Sequence, residues 1–246
     1  MKKILKVMLL LLALFFILFQ TLSFEIEGAL LGAILLVLLT FLYVGWTEHV
    51  SKLFLLFLVF FTIGQVVSVV SWYIPEVGLD KVDGVYFGIN VLYIIAYLFL
   101  IIKIISNMNL RKVFSKLTFP IIILVILDIF CVTLISNTTE YVFNVYEYTL
   151  EFTYNGIVMA LLSFALINYM YRNTSKSMLF LIGSIFIVFS EIIQLVYYYI
   201  LKDENLGFVY SLFFVVAFIF FYIQSQHKLS DPLDEYTDNA FKRIDS

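Results

Sequence analysis

Eight apolar runs, each bounded by short polar breaks, can be read along the chain at 4–20, 28–46, 53–74, 85–105, 117–136, 145–170, 177–201 and 207–226. At 1.5 Å per residue, runs of this length match the roughly 30 Å hydrocarbon core of a bilayer. They lack the period-2 alternation of barrel strands, so they predict helices. The expected architecture is all-α, a polytopic membrane bundle of eight transmembrane helices over residues 1–229. A polar, flexible, cytoplasmic tail follows over 230–246. Lys2, Lys3 and Lys6 precede the first run in the manner of a signal peptide. No small-residue cleavage motif follows them, so the run is kept as a helix.

Polar residues interrupt several runs at helical spacing. Ser184, Glu191, Gln194 and Tyr198 share one stripe of the seventh run, and Thr62, Gln65, Ser68 and Trp72 one stripe of the third. The fourth carries Tyr86, Asn90, Tyr93 and Tyr97; the fifth Asp128; the sixth Glu147, Glu151 and Asn155. An acidic side chain at mid-membrane costs roughly 2.5 to 3.5 kcal/mol, so Glu191 is expected to face protein or trapped water. Counted along the helices, Gln65, Asp128 and Glu191 fall at similar depth, with Asn90 and Glu151 nearer the surface. If these faces converge, they line a polar cavity in the outer half of the bundle. The plainer readings are interfacial anchoring for the tyrosines and interhelical hydrogen bonding for Ser, Thr and Gln. Glu147 also fits the headgroup zone. Glu191 and Asp128 are harder to explain that way. A weak repeat sets GQVVSVVSWYI from Gly64 on SEIIQLVYYYI from Ser190, like two four-helix halves in parallel. Apolar helices align readily by chance, and only the coincident polar positions favour the repeat.

Composition agrees with the pattern. The chain is 63% hydrophobic and 13% charged, whereas soluble domains are about 45 to 50% apolar. With the N-terminus inside, thirteen of the fifteen Lys and Arg residues fall on the cytoplasmic side, leaving only Lys81 and Lys202 outside. This bias predicts both termini in the cytoplasm and a plasma (bacterial inner) membrane location. The outer loops are acidic, with Glu25, Glu27, Glu76, Asp80, Asp83 and Glu140. No basic patch points to nucleic acid. Cys131 is the single cysteine, which excludes an intrachain disulfide, and His49 and His227 have no metal-ligand spacing around them. There is no GxSxG, HExxH or phosphate-cradling glycine loop, and no cofactor is indicated. Carboxylates remain for acid and base work.

Gly64-Gln65 late in the third run, Ser190-Glu191 in the seventh and Tyr222 to Gln226 ending the eighth resemble the YhhN family of lysoplasmalogenase-like membrane proteins, over runs two to eight. Members show Gly-Asp, Ser-Asp and Tyr-x-x-x-Gln at these places. The resemblance implies a hydrolase that opens the vinyl ether of a lysoplasmalogen, releasing a fatty aldehyde and a glycerophospho head group, with the two aspartates as catalytic carboxylates. Here Gln65 and Glu191 replace the aspartates, and Ala96 and Tyr97 stand where many members carry a histidine. Vinyl-ether hydrolysis needs an acid that protonates carbon and a group that handles water. Glu191 suits the acid role. Gln65 cannot ionise and could orient water or hydrogen-bond the substrate. Asp128 or Glu151 would supply the second carboxylate, and Asn90, Tyr93, Glu151, Asn155, Gln194 and Tyr198 are candidate substrate contacts. Three functions follow: a diverged lysolipid hydrolase, a non-catalytic membrane lipid or small-molecule binder, and a proton-coupled transporter relaying through Glu191 and Asp128.

Overall fold

A computed structural model describes residues 2–75 and 82–227. Glu76, Asp80, Lys81 and the 230–246 tail lie outside the described residues. Among the described residues the chain forms eight α-helices: α1 (Lys2–Thr21), α2 (Glu25–Trp46), α3 (Lys52–Ser71), α4 (Gly84–Ser106), α5 (Leu110–Asn137), α6 (Val145–Arg172), α7 (Ser175–Tyr199) and α8 (Glu204–Gln226). All eight are long and apolar enough to cross a membrane. The bundle is therefore polytopic and all-helical, as the apolar runs predict.

Helix ends are set by local chemistry. Asp83, Asn109 and Asp203 cap α4, α5 and α8 with their side chains, and Asn144 and Thr174 begin α6 and α7 with capping boxes. Asn173 ends α6 in the left-handed region, at φ 47°, which Asn tolerates better than most residues. The largest boundary difference is at α5, which begins at Leu110 rather than 117. Arg111, Lys112 and Lys116 conceal its first turns from a hydropathy reading, and the Asn109 cap starts them. At Leu117 the backbone departs from helical geometry, at φ −119° and ψ 23°. Pro120, just beyond, has no N–H for the Lys116 carbonyl and crowds it.

Successive helices pack into a closed ring, α1–α2–α3–α4–α6–α7–α8, that ends with α8 against α1. Helix α5 stands outside the ring and packs chiefly on α6. This breaks any symmetry between the two four-helix halves, since α1 sits within the ring. Between helices in lipid, close packing matters more than apolar burial, and small residues allow it. Gly207 is one such residue: a Cβ there would lie 2.5 Å from the Gln20 carbonyl oxygen, so α8 could not approach α1 with any other side chain. Aromatic rings fill the middle of the ring of helices. Phe57 stacks on Phe218 at 5.9 Å, and Phe61 meets Phe218 edge-on at 5.2 Å.

The two ends differ in charge. Lys2, Lys103 and Lys176 gather at the end where the Lys2 Nζ donates to the Trp46 carbonyl at 3.4 Å. We call this the basic end. At the other, acidic end Glu25 pairs with Lys202 at 3.1 Å, and the Asp83 N–H donates to Glu147 at 3.2 Å.

Candidate functional site

Glu191 lies two turns from the acidic end of α7, and three helices meet at its carboxylate. Tyr154 of α6 donates its hydroxyl to Oε2 at 2.6 Å, and Tyr97 of α4 donates to Oε1. Burying a carboxylate is costly unless its oxygens are hydrogen-bonded, and here each oxygen has an O–H donor. The neighbouring Ser190 donates to the Tyr210 carbonyl at 2.8 Å, which fixes this turn of α7 against α8.

Gln65 joins the same cluster through α4. Tyr93, one turn from Tyr97 on the same helix face, donates to Gln65 Oε1 at 2.9 Å. Gly64 makes room for that contact, because a Cβ at this position would come within 2.8 Å of the Tyr93 ring. The dipeptides Gly64-Gln65 and Ser190-Glu191 thus meet one face of α4 from two sides. Tyr97 occupies the centre.

The two candidates for a second carboxylate separate clearly. Glu151 accepts from Tyr86 at 2.9 Å and from Asn155 at 3.2 Å, and Asn155 also donates to Ser136 at 3.2 Å. Glu151 and Tyr154 are one turn apart on α6, and Glu151 is within electrostatic reach of Glu191. Asp128 instead accepts from Ser163 at 2.7 Å. The Ser136–Asn155 and Asp128–Ser163 bonds fix the antiparallel register of α5 and α6, with Asp128 eight residues, or about 12 Å, deeper than Ser136. Ser163 also falls on the face of α6 opposite Tyr154, nine residues away at about 100° each. The expectation that Asp128 and Glu191 share a depth and a cavity is therefore corrected. Counting from the apolar run missed that the outer end of α5 already lies at the level of Tyr154.

Of the candidate substrate contacts, Tyr93, Glu151 and Asn155 belong to the Glu191 cluster. Asn90 donates to the Tyr86 carbonyl of its own helix at 2.9 Å, and Gln194 makes no hydrogen bond among the described residues. Tyr198 lies in an adjoining aromatic group, its hydroxyl 3.3 Å from that of Tyr210 and its ring 6.5 Å from Trp72. Glu147 acts as the third residue of the α6 capping box, a role readable from Asn144-x-x-Glu147. Tyr154 was not foreseen. Its signal was the Glu151, Tyr154, Asn155 spacing, which puts three polar groups on one face of α6.

Two cavities open at the basic end, and neither has Glu191 in its wall. One, of about 660 Å³, is lined by Lys2, His49, Lys103, Lys176 and His227 among others; a small one of about 40 Å³ adjoins it. At the acidic end the polar side chains bond one another. No protein-family model matches the sequence, and no curated protein or solved structure matches it either.

Proposed function

We propose that this chain is a multi-pass membrane protein that binds lysolipids and acts on them at the Glu191 centre, as a diverged vinyl-ether hydrolase. One observation carries the reading: Gly64-Gln65 and Ser190-Glu191, the two places at which the family resemblance puts catalytic groups, converge on the same face of α4 around Tyr93 and Tyr97. In the proposed reaction a protonated Glu191 delivers its proton to the β-carbon of the vinyl ether, leaving an oxocarbenium ion. Water adds to the adjacent carbon and gives its proton to Glu151. The resulting hemiacetal breaks its C–O bond as its hydroxyl gives up a proton and the leaving oxygen takes one, releasing a fatty aldehyde and the glycerophospho alcohol; one water is consumed, and a proton returns from Glu151 to Glu191 for the next turnover. Tyr97 and Tyr154 position the Glu191 carboxyl, and Gln65 orients water. The excess of Lys and Arg at one end supports a topology with both termini cytoplasmic, in a plasma membrane.

A second reading, lipid binding without turnover, is favoured by a different observation. Both oxygens of Glu191 already accept hydrogen bonds from tyrosines, and Gln65 cannot ionise. A transporter is the weakest of the three, because the Phe57, Phe61 and Phe218 layer separates Glu191 from the basic end. The test is to incubate purified protein with lysoplasmalogens and ester-linked lysolipids and to measure aldehyde and head-group release beside Glu191→Gln. Aldehyde release that Glu191→Gln abolishes is expected. Equal background in both, with lysolipid still bound, would replace the hydrolase with the binder.

A further inference from the structure

The basic end holds a second polar site that has no part in the Glu191 chemistry. We infer that the 660 Å³ vestibule at this end binds a phosphate-bearing anion, through Lys103 and Lys176 with Lys2 at its rim. Lys103 is the central group. Its Nζ lies 4.5 Å from the centre of the Phe54 ring and 5.6 Å from that of Phe180. No carboxylate pairs with it among the described residues, and Glu48, exposed at the mouth, is the one acidic side chain in the lining. Lys176 donates to the His227 carbonyl, which leaves two of its three N–H groups for a ligand. A cation held within a transmembrane helix without a counter-ion is costly, and such groups mark binding paths.

An independent observation points to the same ligand class. Gln224 is 1% exposed and its Nε2 has no hydrogen-bond partner among the described residues. It lines the adjoining 40 Å³ cavity, whose wall also holds Lys103, Asn168, Arg172 and Lys176. Donors therefore predominate around this pair of cavities, and the N-terminus of α7 lines the smaller one with its helix dipole. A phosphate accepts several charge-assisted hydrogen bonds at once, which this set provides. The volume exceeds that of a phosphate alone and leaves room for the glycerol of a head group or of a free phosphate ester. The site lies beyond the aromatic layer from Glu191, so its failure would leave the hydrolase proposal standing, and the converse.

The test uses the full-length protein in neutral detergent, titrated with phosphatidylglycerol, with diacylglycerol of the same acyl chains, and with glycerol 3-phosphate, binding being read by native mass spectrometry and calorimetry. Phosphatidylglycerol should bind and diacylglycerol should not. A Lys103→Gln/Lys176→Gln double variant should weaken binding about tenfold or more, while Lys103→Arg retains it. Equal binding of glycerol 3-phosphate, with the same loss in the double variant, would identify a soluble phosphate ester as the ligand. Should neither phosphate compound bind, or should the double variant bind both undiminished, the inference is overturned. If the double variant does not fold, Gln224→Met takes its place. That substitution removes only an unpartnered amide donor, and it should weaken phosphate binding severalfold at an unchanged unfolding temperature; undiminished binding there would also overturn the inference.

Discussion

The two ends of the bundle treat polar groups in opposite ways. Near the acidic end, Glu191 and Glu151 each have both oxygens bonded, by Tyr97 and Tyr154 in one case and by Tyr86 and Asn155 in the other. At the basic end, Lys103 faces aromatic rings and a cavity, and Gln224 keeps a buried donor without a partner among the described residues. A carboxyl group that is saturated by its own fold stabilises one arrangement of helices. A charge left beside open volume is the basis of the ligand site inferred above. The difference predicts mutational effects of opposite character at the two ends.

The largest effect belongs at the saturated end. Replacing both Tyr97 and Tyr154 with Phe removes both donors from a buried carboxylate, and should lower stability by roughly 2 to 5 kcal/mol. Thermal unfolding in detergent measures it. Repeating the double change in a Glu191→Gln background should cost less, because the amide has one acceptor oxygen in place of the two that accept those hydroxyls. An unchanged cost would mean that the tyrosines serve packing alone. Next is Gly64→Ala, which pushes a methyl group against the Tyr93 ring and should cost roughly 1 to 3 kcal/mol. Gly156→Ala is its control. A Cβ there meets nothing within 4 Å, so no comparable loss is expected.

At the basic end the cost should nearly vanish. Lys103→Gln gives up contacts with Phe54 and Phe180 but also relieves an uncompensated cation, so the net effect should stay within about 1 kcal/mol of zero. Its phosphate affinity should fall while its unfolding temperature holds. A loss of several kcal/mol from this substitution would show that Lys103 is structural, and the contrast between the ends would fail.

How far these contrasts could be read from sequence depends on whether a feature is local. Eight spans were legible because apolar run length is a property of each segment alone. Glu191 stood out for the same reason, as a carboxylate in an apolar run. The closed ring was not legible, nor the position of α5 outside it, because nothing in 117–136 says which helix it will face. Tyr97 and Tyr154 as the grip on Glu191 required knowing that α4 and α6 both face α7. In the sequence Lys103 reads only as a topogenic charge. Its cavity, and the lack of a counter-ion among the described residues, are properties of five helices together.

The smallest effect predicted is also the one that bears most directly on the choice of second carboxylate. Asp128, on the lipid-facing helix α5, has a single side-chain partner among the described residues, Ser163 of α6, about 12 Å deeper than the Ser136–Asn155 contact. Asp128→Asn keeps the shape and an acceptor for the Ser163 hydroxyl, so stability should change by less than about 1 kcal/mol. Any aldehyde release should persist unchanged, because α6 stands between Asp128 and Glu191. Glu151→Gln changes a group on the same face of α6 as Tyr154, and should lower the release by about a hundredfold or more if Glu151 takes the proton from water. Should the two variants rank the other way, with Asp128→Asn the inactive one, the proton path would have to cross α6, and Glu151 would be a structural partner of Tyr86 and Asn155.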